Sequence, residues 1–114
     1  MHELGYAVEI VKTLEEYKIQ ESLTHIKSVT IDIGEATGIV PQYLSDCWEA
    51  ANADTSIKDC VLKINFIRGK ARCRECDTDF LVTDTHGICP KCGSDLFDTD
   101  PSAYTFEISE IVAS

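Results

Sequence analysis

Long apolar runs are missing from this chain. None approaches the roughly 20 residues a helix needs to cross a bilayer, so no membrane association is expected. The start, Met1-His2-Glu3-Leu4, has neither the basic stretch nor the apolar stretch of a secretion signal, and a soluble cytoplasmic protein is expected. Basic residues are scarce. Ten Lys and Arg stand against twenty Asp and Glu, for a formal net charge of -10. The densest basic run is Arg68-Gly69-Lys70-Ala71-Arg72. Nucleic-acid affinity comes mainly from neutralising phosphates, so nucleic-acid binding is disfavoured. Histidine is rarer still, with three in 114 residues. No nucleophile-base pair, phosphate loop or open metal site is recognisable, which makes an enzyme the least expected class.

Cysteine, by contrast, is abundant. Six cysteines in a short secreted chain would suggest a disulfide framework. Without a secretion signal, and with four of them in CxxC pairs, metal ligation is the better reading. The pattern is Cys73-x2-Cys76-x12-Cys89-x2-Cys92. Two residues between cysteines let both sulfurs of one turn face one ion, and two such knuckles complete a tetrahedral shell of four sulfurs. Four thiolates leave no coordination position open, so a structural Zn(II) is expected. Iron in a rubredoxin-like site is the alternative, because four-sulfur geometry suits both metals. Cys47 and Cys60 remain, each on the apolar face of an expected element, where free cysteine acts as a small buried hydrophobe.

Residues 4 to about 20 carry Leu4, Ala7, Val8, Val11, Leu14 and Tyr17 at helical spacing among charged residues. From Lys27 the period becomes two, with Val29, Ile31 and Ile33 on one face of a strand. Gly34 and Gly38 bracket a turn. Pro41 suits the first position of a second helix, with Leu44, Cys47, Trp48 and Ala51 on its apolar face. Cys60, Leu62, Ile64 and Phe66 predict a second strand. Tyr104, Phe106 and Ile108 predict a last one. That last strand has no helix of its own and buries its apolar face most simply by joining the first two, which makes the cysteine segment an insertion between sheet strands. The expected fold class is α+β: two helices on a three-stranded sheet with an inserted four-cysteine zinc domain of zinc-ribbon type. The expected domains are 1–70 plus 101–114, and 71–100.

A histidine after the first methionine reads, alone, as a surface residue ahead of a helix. Its chemistry permits more. His2 is bulky enough for Met1 to be retained. The Met1 amine, the His2 backbone nitrogen and the His2 imidazole could then close adjacent chelate rings around Ni(II) or Cu(II).

Taken together, the Met1-His2-Glu3 start, the segment Gly34-Glu35-Ala36-Thr37-Gly38-Ile39-Val40-Pro41 leading into a helix with Leu44, and the paired CxxC knuckles closely resemble the HypA/HybF family. That family inserts nickel during hydrogenase maturation. The resemblance runs through essentially the whole chain, and the Met-His-Glu and Gly-Glu-x-x-Gly-x-x-Pro motifs are its most specific parts. It implies a nickel metallochaperone, not an enzyme, that delivers Ni(II) to the large subunit of a [NiFe]-hydrogenase. The implied partner is a HypB-type GTPase, with urease maturation proteins as further candidates. Nickel binding carries over to Met1, His2 and Glu3, with zinc on Cys73, Cys76, Cys89 and Cys92. One departure concerns histidine beside the zinc knuckles, present in some members. Here Arg74 and Asp77 flank the first knuckle and Gly93-Ser94-Asp95 follow the second, while His86 lies mid-loop and His25 precedes the first strand. The residue-level alternatives are a zinc-ribbon protein-interaction adaptor and a rubredoxin-like electron carrier.

Overall fold

The apolar spacing of the first segment produces a helix, α1 (Glu3–Gln20), in a computed structural model that describes residues 3–114. Met1 and His2, two of the three expected nickel-site residues, lie outside the described residues. The buried stripe of α1 is Ala7, Ile10, Val11 and Leu14. It includes Ile10, which the sequence pattern did not single out, and leaves Leu4, Val8 and Tyr17 exposed. The helix is rotated toward the face that presents two adjacent β-branched residues to the sheet. It stops where Ser22 enters the left-handed region (φ 52) and Leu23 N–H bonds back to the Lys18 carbonyl at 2.9 Å.

Strand β1 (Ile26–Gly34) follows, then a 3-10 turn (Glu35–Thr37) and helix α2 (Pro41–Asn52). Val40 is the extended residue before α2 and Pro41 supplies its first turn, where a missing N–H costs nothing. Leu44, Trp48 and Asn52 face inward. Trp48 Nε1 donates to the Cys60 carbonyl at 2.8 Å and Asn52 Nδ2 donates to the Ile57 carbonyl at 3.3 Å. These bonds satisfy both side-chain donors and fix the loop that leads into β2 (Val61–Ile67).

β1 pairs with β2 in parallel and with β6 (Phe106–Ala113) antiparallel, giving the order β2-β1-β6. The last strand thus joins the first two, as its unaccompanied apolar face required. β6 begins later than the alternation suggested. Tyr104 falls in a 3-10 turn (Pro101–Tyr104) and is 62% exposed. Phe66, expected inside, is 43% exposed because it lies at the far end of edge strand β2. The core joins Ala7, Ile10, Val11 and Leu14 of α1 to Ile26, Val29, Ile31 and Ile33 of β1 and Leu44 and Trp48 of α2. A fully buried side chain of this size stabilises by about 1.5–3 kcal/mol.

Glu3 Oε2 accepts the Val40 N–H at 3.4 Å, while Glu15 Oε2 and Lys18 Nζ bond Ser56 just past α2. The two helices therefore run side by side in one direction. Both begin at the end of the sheet where β1 and β2 finish.

From that end the chain enters β3 (Lys70–Cys73), β4 (Asp79–Leu81) and β5 (Phe97–Thr99), an antiparallel sheet ordered β4-β3-β5. Its separate core is Ala71, Cys73, Phe80 and Cys89, with Phe80 and Phe97 packed edge to face at 5.5 Å. So few apolar groups rarely hold a fold without a staple. The molecule measures 55 × 26 × 15 Å, with a radius of gyration of 17.7 Å. A compact domain of this length would have about 13 Å.

Candidate metal centre

The two CxxC turns are built alike. After each first cysteine, the backbone N–H two residues on points back at its sulfur: Glu75 to Cys73 Sγ and Lys91 to Cys89 Sγ, both at 3.4 Å. Each turn closes with an N–H to carbonyl bond four residues back, Asp77 to Cys73 at 3.0 Å and Gly93 to Cys89 at 2.9 Å. A second bond closes each from outside, Cys73 N–H to Thr78 and Cys89 N–H to Ser94. The backbone N–H groups of Thr78 and Ser94 in turn reach Cys76 and Cys92. Each of the four sulfurs thus faces a backbone donor two residues along.

All four Sγ atoms lie within 4.8 Å of one another. Cys73 to Cys92 is 3.5 Å and Cys76 to Cys89 is 3.6 Å. A tetrahedral site with metal–sulfur bonds of about 2.3 Å has edges of about 3.8 Å, so the set fits a single small ion. No disulfide forms among the six cysteines. Cys73 and Cys89 are buried and Cys92 is exposed, which leaves the centre at the rim of the module.

The electrostatics fit a cation as well. N–H donors from Cys92 and Lys91 hold the Cys89 thiol down to about 6. The side chain and backbone of Thr78 lower Cys76, its hydroxyl lying 3.1 Å from the sulfur. Cys92 is lowered by the Ser94 N–H, yet its contacts with Cys73, burial and the sulfurs of Cys76 and Cys89 push it up to about 12. Sulfurs this close cannot all be thiolates unless a cation sits among them. The four cysteines together could bind one metal ion.

Among the described residues the cluster consists of the four cysteines alone. His86 and His25 are exposed, His86 in the left-handed region (φ 54) at the end of a 3-10 turn (Val82–Thr85). The sequence reading missed the matching roles of Thr78 and Ser94. The signal was present: each hydroxyl residue sits at the same offset from its knuckle. Cys60 is buried, and burial pushes its thiol up to about 11, as suits a packed neutral group. Cys47 is half-buried against the same core.

Fold and centre together define a small α+β protein whose inserted module carries a four-cysteine cluster that could hold a metal ion. A family model described as "Hydrogenase/urease nickel incorporation, metallochaperone, hypA" matches residues 1–112, and the chain belongs to this HypA family. It is 35% identical over 100 residues to a hydrogenase maturation factor HypA from Desulfatibacillum aliphaticivorans, covering 86% of this chain and 76% of the relative. A HypA of the same description from Rhizobium leguminosarum bv. viciae is 31% identical over 93 residues, covering 82% of each chain. The solution structure of the Ni metallochaperone HypA from Helicobacter pylori has the same fold, with a TM-score of 0.66 at 21% identity, covering 99% of this chain and 97% of that one.

Proposed function

We propose that this protein carries Ni(II) on Met1, His2 and Glu3 and delivers it to the large subunit of a [NiFe]-hydrogenase. The observation that carries this reading is the family match over residues 1–112, which includes the Met1-His2-Glu3 start. The ligands would be the Met1 amine, the backbone nitrogen and imidazole of His2, and the backbone of Glu3. The Glu3 carboxylate already accepts the Val40 N–H and would mainly anchor the start of α1. A terminal chelate ahead of a helix suits a carrier, because it remains open to a recipient. Copper binds such nitrogen-rich sites more tightly, so selectivity would come from docking and metal supply. Amine and imidazole must lose protons to bind, so nickel affinity falls as pH drops below neutral.

Cys73, Cys76, Cys89 and Cys92 would hold a structural Zn(II), which supplies charge neutralisation and a fixed tetrahedral hub and performs no turnover. Two separate cores support a division into a nickel-binding domain (1–70 plus 101–114) and a zinc-binding domain (71–100). A HypB-type GTPase and urease maturation proteins are the proposed partners, in the cytoplasm. Among the described residues no helix is long and apolar enough to cross a membrane.

The test is a Ni(II) titration of the native protein and of one with two residues added before Met1. Stoichiometric binding should disappear in the extended form, and its persistence there would sink the terminal chelate. His2→Ala should lose nickel transfer while keeping its zinc, which elemental analysis also distinguishes from iron.

A further inference from the structure

The Gly34-Glu35 pair opens the segment of residues 34–41, and the nickel chelate has no task for it. We propose that Gly34-Glu35 is an inter-module clamp, which holds both segments leading to the metal module and sets that module's orientation on the main sheet. Two segments join the modules: Arg68-Gly69 on the way out, and residues 100–105 on the way back.

Gly34 holds the return segment. Its N–H donates to the Thr105 carbonyl at 2.7 Å. A Cβ at this position would overlap the Ala103 and Ser102 carbonyl groups, so only glycine admits the 3-10 turn this close. Glu35 holds the outgoing segment. Its Oε1 accepts the part-buried Gly69 N–H at 2.8 Å, a charge-assisted bond at the junction of β2 and β3. Its other oxygen accepts from Thr83 Oγ1, in the metal module, at 3.2 Å. Thr83 Oγ1 also accepts Arg68 Nη2 at 3.0 Å, and Arg68 pairs with Asp84. Side chains thus alternate across the boundary from Glu35 to Thr83, Arg68 and Asp84. The hydrogen bond to Asp84 raises the Arg68 pKa, and the charge on Glu35 adds to it.

The clamp has a firm half and a loose half. Gly34 N–H to the Thr105 carbonyl is a backbone bond, and the bond from Gly69 N–H to the Glu35 carboxylate is part-buried at the boundary. Thr83, Arg68 and Asp84 lie in solvent, where ion pairs contribute little and salt screens them. Releasing the loose half lets the module pivot on the firm half without unfolding either core. In a molecule 55 Å long such a pivot moves the metal centre relative to the helix N-termini. The proposal does not rest on the nickel reading, and its test needs no nickel.

The experiment measures amide residual dipolar couplings on the full-length zinc-loaded protein, fitting one alignment tensor to the strands of each module. The native protein should give a single tensor. Glu35→Ala should split it in two, with unchanged zinc content and unchanged couplings within each sheet. Glu35→Gln should restore the single tensor, because its amide oxygen accepts from Gly69 and its amide nitrogen donates to Thr83. A single tensor in Glu35→Ala overturns the clamp. Should Glu35→Ala fail to fold, Thr83→Val decides, since Thr83 is exposed and belongs to neither core. A changed relative orientation supports the clamp, and an unchanged one overturns it.

Discussion

Asp77 and Gly93 occupy the same place in successive knuckles, each just after the second cysteine and each left-handed, at φ 60 and φ 77. Their N–H groups close equivalent turns onto Cys73 and Cys89. Glycine takes this conformation freely, whereas a side chain costs about 1 kcal/mol. Gly93→Ala should therefore destabilise the module by about 1 kcal/mol, and Asp77→Gly should stabilise it by about 0.5 kcal/mol. Chelator concentration at half release of the metal measures both. Equal effects of the same sign would contradict the equivalence.

Metal removal should be local. The small core around Ala71, Cys73, Phe80 and Cys89 depends on the sulfurs, while Val29, Ile31 and Leu14 belong to a separate core. A strong chelator should abolish amide-exchange protection in β3, β4 and β5 and leave it in β1. Protection retained in β3 after metal loss would show the module to be self-sufficient.

The Cys60 thiol gives the main domain an alkaline limit. Burial raises it from its ordinary value of 9.0 to about 11 in the folded state. A raised folded value favours the neutral thiol, so its contribution is whole below pH 9 and is lost as pH rises from 9 through 11. Urea midpoints of the native protein and Cys60→Ala, taken from about pH 7.5 to 11, should converge over that window. Parallel curves would show that the thiol ionises as freely when folded.

At Gly34 there is no room for a methyl group beside the Ala103 carbonyl. Gly34→Ala should cost about 3 kcal/mol by overpacking and a displaced return segment. Gly5, with open space around it, should accept alanine and gain slightly from helix propensity. Denaturant unfolding of the two variants provides the contrast.

Along α1, Leu14→Ala should cost about 3 kcal/mol, since the residue is fully buried. Val8→Ala, at a site 46% exposed, should cost less than about 0.5 kcal/mol. Comparable losses at both positions would mean the helix is rotated from the face described.

Local chemistry was legible wherever a short stretch imposes its own geometry. CxxC spacing announced the knuckles, Pro41 the start of α2, and strict alternation the strand through Val29, Ile31 and Ile33. Burial was less legible. Leu4, Val8 and Tyr17 are as apolar as the residues that pack, and the sequence pattern cannot tell which side of a helix meets the sheet. Phe66 and Tyr104 alternate properly yet stay exposed, because each lies where a strand runs beyond its cover or has not begun.

The four-cysteine set was legible in the sequence, because two equivalent CxxC turns each aim their sulfurs at one point, and the fold brings all four within 4.8 Å of one another. So was the class of fold, since a β1–α2–β2 crossover and an unaccompanied last strand leave few ways to bury three apolar faces. Only the tertiary structure decided what Glu35 does. Its partners, Gly69 and Thr83, lie more than thirty residues away, and no local propensity encodes a carboxylate meeting a distant backbone N–H. The same holds for Gly34, whose lack of a side chain acquires meaning only when residues 102–103 fold back against it.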